Sequence, residues 1–272
     1  MIRKPVVAGA FYPGSSEVLK NQIIEFMNNA PIDKEYKNIL GIISPHAGYI
    51  YSGQCAAYGF NVLKQKDFDL AVVIAPSHRF GSFRYSVGNF DAYKTPLGEV
   101  SVDTELTEAL LKNDEFDFYD LAHNSEHSLE VQLPFLQLVN PEAKILPILL
   151  GSQSAKNSQN LAKVLSELFK ERLGKTVFII SSDLSHYHDK ETASKMDLQL
   201  AENVEKNDIE ELEKNIDFHN VEACGFGGIL TLLHLAKILG YNKIETLKYT
   251  HSGEVSGDYS QVVGYLSSIV YK

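Results

Sequence analysis

Hydrophobic positions along this chain fall into two alternating patterns. Residues 39–43, 69–75, 144–150 and 176–182 each carry an apolar run of strand length, as expected of strands buried on both faces. Between these runs the period lengthens to that of a helix. Residues 15–28 carry Leu19, Ile23, Ile24 and Met27 as one stripe behind Ser15 or Ser16 as cap. Ser52 is expected to cap a helix through Ala56, Ala57, Phe60 and Leu63, and Asp103 one through Leu106, Leu110 and Leu111. Leu129, Leu133 and Leu136 are spaced as on a helix, with Pro134 as a kink or break. Further helices are expected over 155–170, 190–206 and 208–215, and from the glycines at 225–228 through Leu239.

The remaining stretches read as extended or turning chain. Residues 5–14 are an extended lead-in closed by a turn, and 82–102 are short antiparallel pieces around Thr95-Pro96-Leu97-Gly98. Residues 244–250 and 261–271 resemble a hairpin. Strands alternating with helices predict an α/β fold with a mostly parallel central sheet, helices on both faces and an antiparallel C-terminal hairpin. No long polar linker or repeat divides the chain, so a single domain over 1–272 is expected.

Composition narrows the function classes. The net charge of −10, with no compensating Lys/Arg cluster, argues against a nucleic-acid partner. No apolar run reaches the roughly 18–20 residues of a membrane span. The segment Met1-Ile2-Arg3-Lys4-Pro5 lacks the apolar core of a signal peptide, so a cytoplasmic location is expected. Cys55 and Cys224 lie far apart, and a structural disulfide is not expected.

The chemistry concentrates where apolar runs end. Three of them hand over to an imidazole: Pro45-His46, Ser77-His78, and Asp183-Leu184-Ser185-His186. Ligands of open α/β sheets bind beyond the carboxyl ends of the strands, so these side chains are expected to converge. Two neutral imidazoles suit Fe, Zn or Cu but need a third donor, from Asp183, Glu222 or Cys224. Cys224 is the strongest of the three, because glycines and a helix start beside it would favour a thiolate. His186 is a candidate acid/base, and Asp183 a candidate orienting group for an imidazole or the metal. His127 is expected near the pocket, with Glu130 at i+3 on one helical face and Glu126–Glu130 as a conceivable carboxylate pair. Gly225-Phe226-Gly227-Gly228 has the spelling of an anion cradle, and Arg79 places a cation beside His78. His188 is expected at the surface. His123, His219, His234 and His251 stand alone. Nucleophile-elbow, Walker and Cys-x-x-Cys motifs are absent.

These residues resemble the Memo family, called AmmeMemoRadiSam system protein B in many prokaryotes. The resemblance rests on Ala8-Gly9-Ala10-Phe11-Tyr12-Pro13, Pro45-His46-Ala47-Gly48-Tyr49-Ile50-Tyr51-Ser52-Gly53, Ser77-His78 and Thr95-Pro96-Leu97-Gly98. It continues through residues 126–136, Ser182-Asp183-Leu184-Ser185-His186-Tyr187, Ala223-Cys224-Gly225 and Val263-Gly264-Tyr265. The resemblance implies a fold like that of class III extradiol dioxygenases, whose Fe(II) is held by two histidines and a glutamate. It places His46, His78 and Cys224 at the metal and matches His186 to the acid/base histidine. A thiolate in place of the carboxylate shifts preference toward Cu(I), Zn or a more electron-rich iron. The function implied is metal binding, Fe(II) or Cu(I) foremost, with oxygen-dependent or redox chemistry assisted by His186, Asp183 and His127. The alternative is a non-catalytic module that takes a peptide or small anion in the same cleft. The family name further implies a radical-SAM partner.

Overall fold

The computed structural model describes all 272 residues. Four of the apolar runs form the centre of a nine-stranded sheet. They are β2 (Gly41–Ser44), β3 (Leu70–Pro76), β8 (Lys144–Leu150) and β9 (Thr176–Ser181). Here β1 (Ile2–Arg3), β4 (Tyr85–Val87), β5 (Ala92–Thr95), β6 (Gly98–Ser101) and β7 (Phe116–Asp117) are counted in chain order. The central strands lie in the order β2-β9-β3-β8, all parallel, with Ile42 opposite Ile179 and Val72 opposite Phe178. Every residue of β2, β3 and β9 is buried, which is why these strands read as continuous apolar runs rather than alternating ones.

Beyond this parallel core the sheet turns antiparallel on both sides. Strand β12 (Val262–Tyr271) pairs antiparallel with β2 through Ser268–Val270, with β10 (Asp183–His188) through Val262–Tyr265, and with β11 (Lys243–His251) along its other edge. At the far side β4 pairs antiparallel with β8 and parallel with β7. The short strands β1, β5 and β6 make a separate three-stranded sheet. The expected hairpin of β11 and β12 is present. The "mostly parallel" description holds for the central four strands, while the flanks are antiparallel.

The helices cover both faces. Helices α1 (Ser16–Asn28), α2 (Tyr49–Leu63) and α5 (Leu133–Val139) pack with Ile42, Val73 and Ile179 on one face. On the other, α6 (Ala155–Leu168), α7 (Lys190–Glu205), α8 (Ile209–Asp217) and α9 (Phe226–Leu239) pack with Ile43, Ile74 and Ile180. Consecutive residues of one strand thus serve opposite cores, the period-two geometry of a pleated strand. The short helices α3 (Thr104–Leu110), α4 (Asp120–Ser125) and α10 (Gly253–Ser256) join these layers. No helix is long and apolar enough to cross a membrane.

Three local expectations are corrected. Helix α2 starts at Tyr49 behind Gly48, and Ser52 lies inside its first turn with Oγ donating to the Ala47 carbonyl (2.9 Å). Residues 126–129 are not helical: a 3₁₀ turn over Glu130–Gln132 leads into α5. Pro134 therefore sits at the start of a helix, where its missing N–H costs nothing, rather than kinking one. Residues 183–188 form strand β10 rather than a loop beyond the sheet.

Candidate metal centre

His46 follows β2, and its buried ring is held at both nitrogens. Nδ1 lies 2.9 Å from Ser181 Oγ at the end of β9. That hydroxyl donates its one proton to the Ser128 carbonyl (2.6 Å) and accepts from Gln132 Nε2 (2.9 Å). A carbonyl can only accept, so the bond between the ring and Ser181 must be donated by His46 Nδ1–H. His46 Nε2 is left with a lone pair, 3.1 Å from Cys224 Sγ. Burial, then the neighbouring His78 and His127, holds this imidazole well below its ordinary pKa and therefore neutral.

His78 lies just beyond β3 and is fixed by Glu126. Its Nδ1 is 2.9 Å from Glu126 Oε1, and its backbone N–H donates to Oε2 at 2.6 Å. Glu126 also accepts from the backbone N–H groups of His127 (2.9 Å) and Ser128 (3.0 Å) and faces His127 Nδ1 at 3.1 Å. Burial alone would raise the pKa of Glu126, but the bonds from His127 and His78 outweigh it and hold the carboxyl far below its usual range. Burial likewise opposes protonation of His78, and the Glu126 carboxylate overcomes it to raise that imidazole above its ordinary value. With Nδ1–H committed to Glu126, neutral His78 keeps Nε2 as its free donor atom. The His127 ring stacks on His78 at 4.7 Å and meets His46 edge-on at 5.5 Å, with Phe11 behind it at 4.8 Å.

Cys224 closes the cluster. Sγ accepts the Asp183 N–H at 3.2 Å, while Cys224 N donates to the Asp183 carbonyl at 3.2 Å. One donor atom from each of His46, His78 and Cys224 lies within 4.8 Å of the others, and His78, Glu126 and His127 form a second such group. The expected thiolate is not favoured by the protein alone. Burial pushes the thiol pKa up, and the negative charge of Asp183 adds to the effect. Nor do the first N–H groups of α9 reach Sγ. Gly225 N–H donates to Ser182 Oγ (2.9 Å), Phe226 N–H to the Ala223 carbonyl (3.3 Å) and Gly227 N–H to Gln153 Oε1 (2.8 Å). The same bonds overturn the anion cradle. Its glycines serve close packing instead: a Cβ on Gly225 would lie 2.4 Å from the Ser181 carbonyl oxygen.

Asp183 is buried at the head of β10, where Oδ1 accepts the backbone N–H groups of His46 (2.7 Å) and Ala47 (3.3 Å). It holds the His46 loop rather than the ring, whose Nε2 is 3.9 Å from Oδ2, and burial raises its own pKa. His186 Nδ1 donates to the Leu184 carbonyl (2.7 Å), which leaves Nε2 as an acceptor, and His186 lines one cleft with Cys224.

Other expectations change. Glu222 does not join the cluster: both its oxygens lie 3.1 Å from His188 Nε2, so His188 is a half-buried partner rather than a bare surface group. Glu130 pairs neither with His127 nor with Glu126. It is buried against Arg3 and accepts from Tyr12 OH (2.5 Å) and the N–H groups of Val6 (2.8 Å) and Val7 (3.1 Å). Arg79 is exposed. Of the isolated histidines, His123 is buried, with Nδ1 2.8 Å from Tyr93 OH. Ser181, Gln132 and the anchoring role of Glu126 went unread in the sequence. Their partners lie 48 to 135 residues away, and no local spacing encodes them.

The chain matches the family model described as Memo-like protein over residues 3–269. A protein of Thermotoga neapolitana described as a MEMO1 family protein is 40% identical, covering 99% of this chain and all of its own length. One of Nitrosopumilus maritimus with the same description is 38% identical, covering 97% of this chain and 98% of its own. The solved structure of an uncharacterised Escherichia coli K12 protein superposes with a TM-score of 0.46 at 16% identity, covering 74% of this chain and 85% of that one, too distant a likeness to bear on the site. On the match across nearly its whole length, the chain belongs to the Memo family.

Proposed function

We propose that this protein binds a transition metal through His46, His78 and Cys224, with Fe(II) or Cu(I) foremost and Zn as a redox-silent alternative. The observation that carries this reading is the locking of both imidazole protons on Nδ1. Ser181 takes one and Glu126 the other, which leaves the lone pair of each ring on Nε2. His46 Nε2 lies 3.1 Å from Cys224 Sγ, and one donor atom from each of the three residues lies within 4.8 Å of the others. Metal-ligating histidines characteristically donate their second nitrogen to such a partner. The donor set also fits the metals: imidazole and thiolate suit soft or borderline ions better than Mg or Ca. A bound cation would supply the positive charge that the buried thiol lacks, favouring its ionised form.

When bound, Fe(II) or Cu(I) supplies a one-electron redox centre, which supports oxygen-dependent or redox chemistry. The chain's own groups do the rest. His186 Nε2 accepts a proton, and the Leu184 carbonyl holds its ring in that tautomer. Asp183 fixes the backbone of the His46 loop, and His127 packs over His78. Metal content of wild-type, Cys224→Ala and His46→Ala protein, purified with and without oxygen, tests the reading. The wild type is expected to take up Fe(II) or Cu(I) stoichiometrically and each variant to lose most of it. Equal uptake by all three would refute the assignment.

A further inference from the structure

Beside Cys224 the surface forms an open cleft of about 480 Å³ between β10, α8 and α9. Leu184, Ile216 and Phe226 give it an apolar wall, and Cys224 and His186 line it as well. The charged groups on its lining are the carboxylates of Asp217 and Glu222, and neither Lys nor Arg contributes.

Its polar groups are chiefly acceptors. His186 spends its one N–H on the Leu184 carbonyl and turns a lone pair elsewhere. Glu222 is held by His188 and presents carboxylate oxygens. The backbone donors that would welcome an anion at the start of α9 are already bonded to Ser182, Ala223 and Gln153. An incoming molecule that brings its own hydrogen-bond donors is therefore favoured. An anion would meet two carboxylates, of which only Glu222 is paired, with His188, while no Lys or Arg stands on the lining.

His219, on the lining, adopts a left-handed backbone (φ 56°) as the residue that ends α8, its N–H donating to the Ile216 carbonyl (3.1 Å).

We infer that this cleft is the substrate chamber of the centre and selects a small molecule with an apolar body and an uncharged or cationic donor group, rejecting anions. The word substrate rests on the metal-centre reading above, whereas the charge selectivity rests on the lining alone.

The test uses the full chain treated with chelator, so that no probe binds through a metal. Calorimetry compares phenethylamine, 2-phenylethanol and phenylacetate, which share one apolar body. The amine and the alcohol are expected to bind, with phenylacetate weaker by about tenfold or more, the ratio that one charge-assisted contact supplies. Glu222→Gln should weaken the amine by about tenfold and leave the alcohol nearly unchanged. Ile216→Trp, which fills the chamber without touching a charge, should weaken both, and it keeps the test open if Glu222→Gln does not fold. Phenylacetate binding as tightly as the amine, no binding by any probe, or amine binding indifferent to both substitutions would overturn the inference. A protein that binds no metal but keeps the charge preference refutes only the centre proposed above. One that binds metal but lacks the preference refutes only the chamber.

Discussion

Glu126 accepts from both His78 and His127, so removing its charge should disturb two rings at once. In Glu126→Gln the amide cannot accept at both of its heads. Either His78 Nδ1 together with the backbone N–H groups of His127 and Ser128, which share Oε1, or the His78 backbone N–H on Oε2 must then face another donor. Metal affinity is expected to fall by about 10–100-fold, the usual cost of losing such an orienting partner. Competition against a chromophoric chelator measures this, and wild-type affinity in the variant would deny Glu126 the orienting role. The ring-bearing members of the cluster were legible because each of His46 and His78 stands just past an apolar run, where sheet geometry alone makes convergence expected. Glu126, Ser181 and Gln132 were not, because a hydroxyl or carboxylate that orients a ring leaves no periodic trace. The thiolate expected at Cys224 failed for a related reason. A helix start beside a sulfur says nothing about which acceptors its N–H groups have already met.

Among the elements, the N-terminal segment has little secondary structure beyond β1 but a fully buried anchor. Arg3 is 1% exposed, and its guanidinium meets the Glu130 carboxylate, the Glu126 carbonyl and the His123 carbonyl (3.0 Å). The chain then turns so that the Phe11 carbonyl accepts from Tyr49 N–H (2.7 Å) and the Phe11 ring packs on His127. Arg3→Met leaves Glu130 buried without its charge partner, and a broken buried pair costs about 3–5 kcal/mol. Urea unfolding should register that loss, and a variant as stable as the wild type would show the pair to be dispensable. The sequence presented this segment only as extended chain closed by a turn, because an arginine two residues from the terminus has no local sign of burial. Long elements were the readable ones: α1, α6 and α7 carry enough turns for their stripes to be unambiguous. The stretch 125–136 misled because a turn, a 3₁₀ segment and a short helix in succession keep apolar residues at nearly helical spacing.

For the molecule as a whole, buried histidines set the response to acid. Burial, together with the Arg3 charge, lowers the pKa of His123 to about 3, and His46, His234 and His251 also lie below their ordinary values. Unfolded, each takes up a proton near pH 6.5, so below that pH the unfolded chain binds more protons and stability falls. His78, shifted upward, opposes this, as do Asp183 and Asp197, whose carboxyls burial also raises, but the four lowered histidines outnumber them. The urea midpoint of chelator-treated protein is therefore expected to drop between pH 8 and pH 5.5, before ordinary carboxylates titrate, and a constant midpoint would contradict it. At this scale the parallel core was legible because strands buried on both faces leave continuous apolar runs. The antiparallel flank of β4 and β7 was not, since strands of two or three residues carry too little pattern. The positions of the three donors carry a consequence for biosynthesis. His46 and Cys224 are separated by 178 residues, with most of the central sheet encoded between them. During synthesis His46 and His78 therefore leave the ribosome long before Cys224, and β12, which flanks β2 and β10, follows later still, so the three donors meet only after β3, β8 and β9 have emerged.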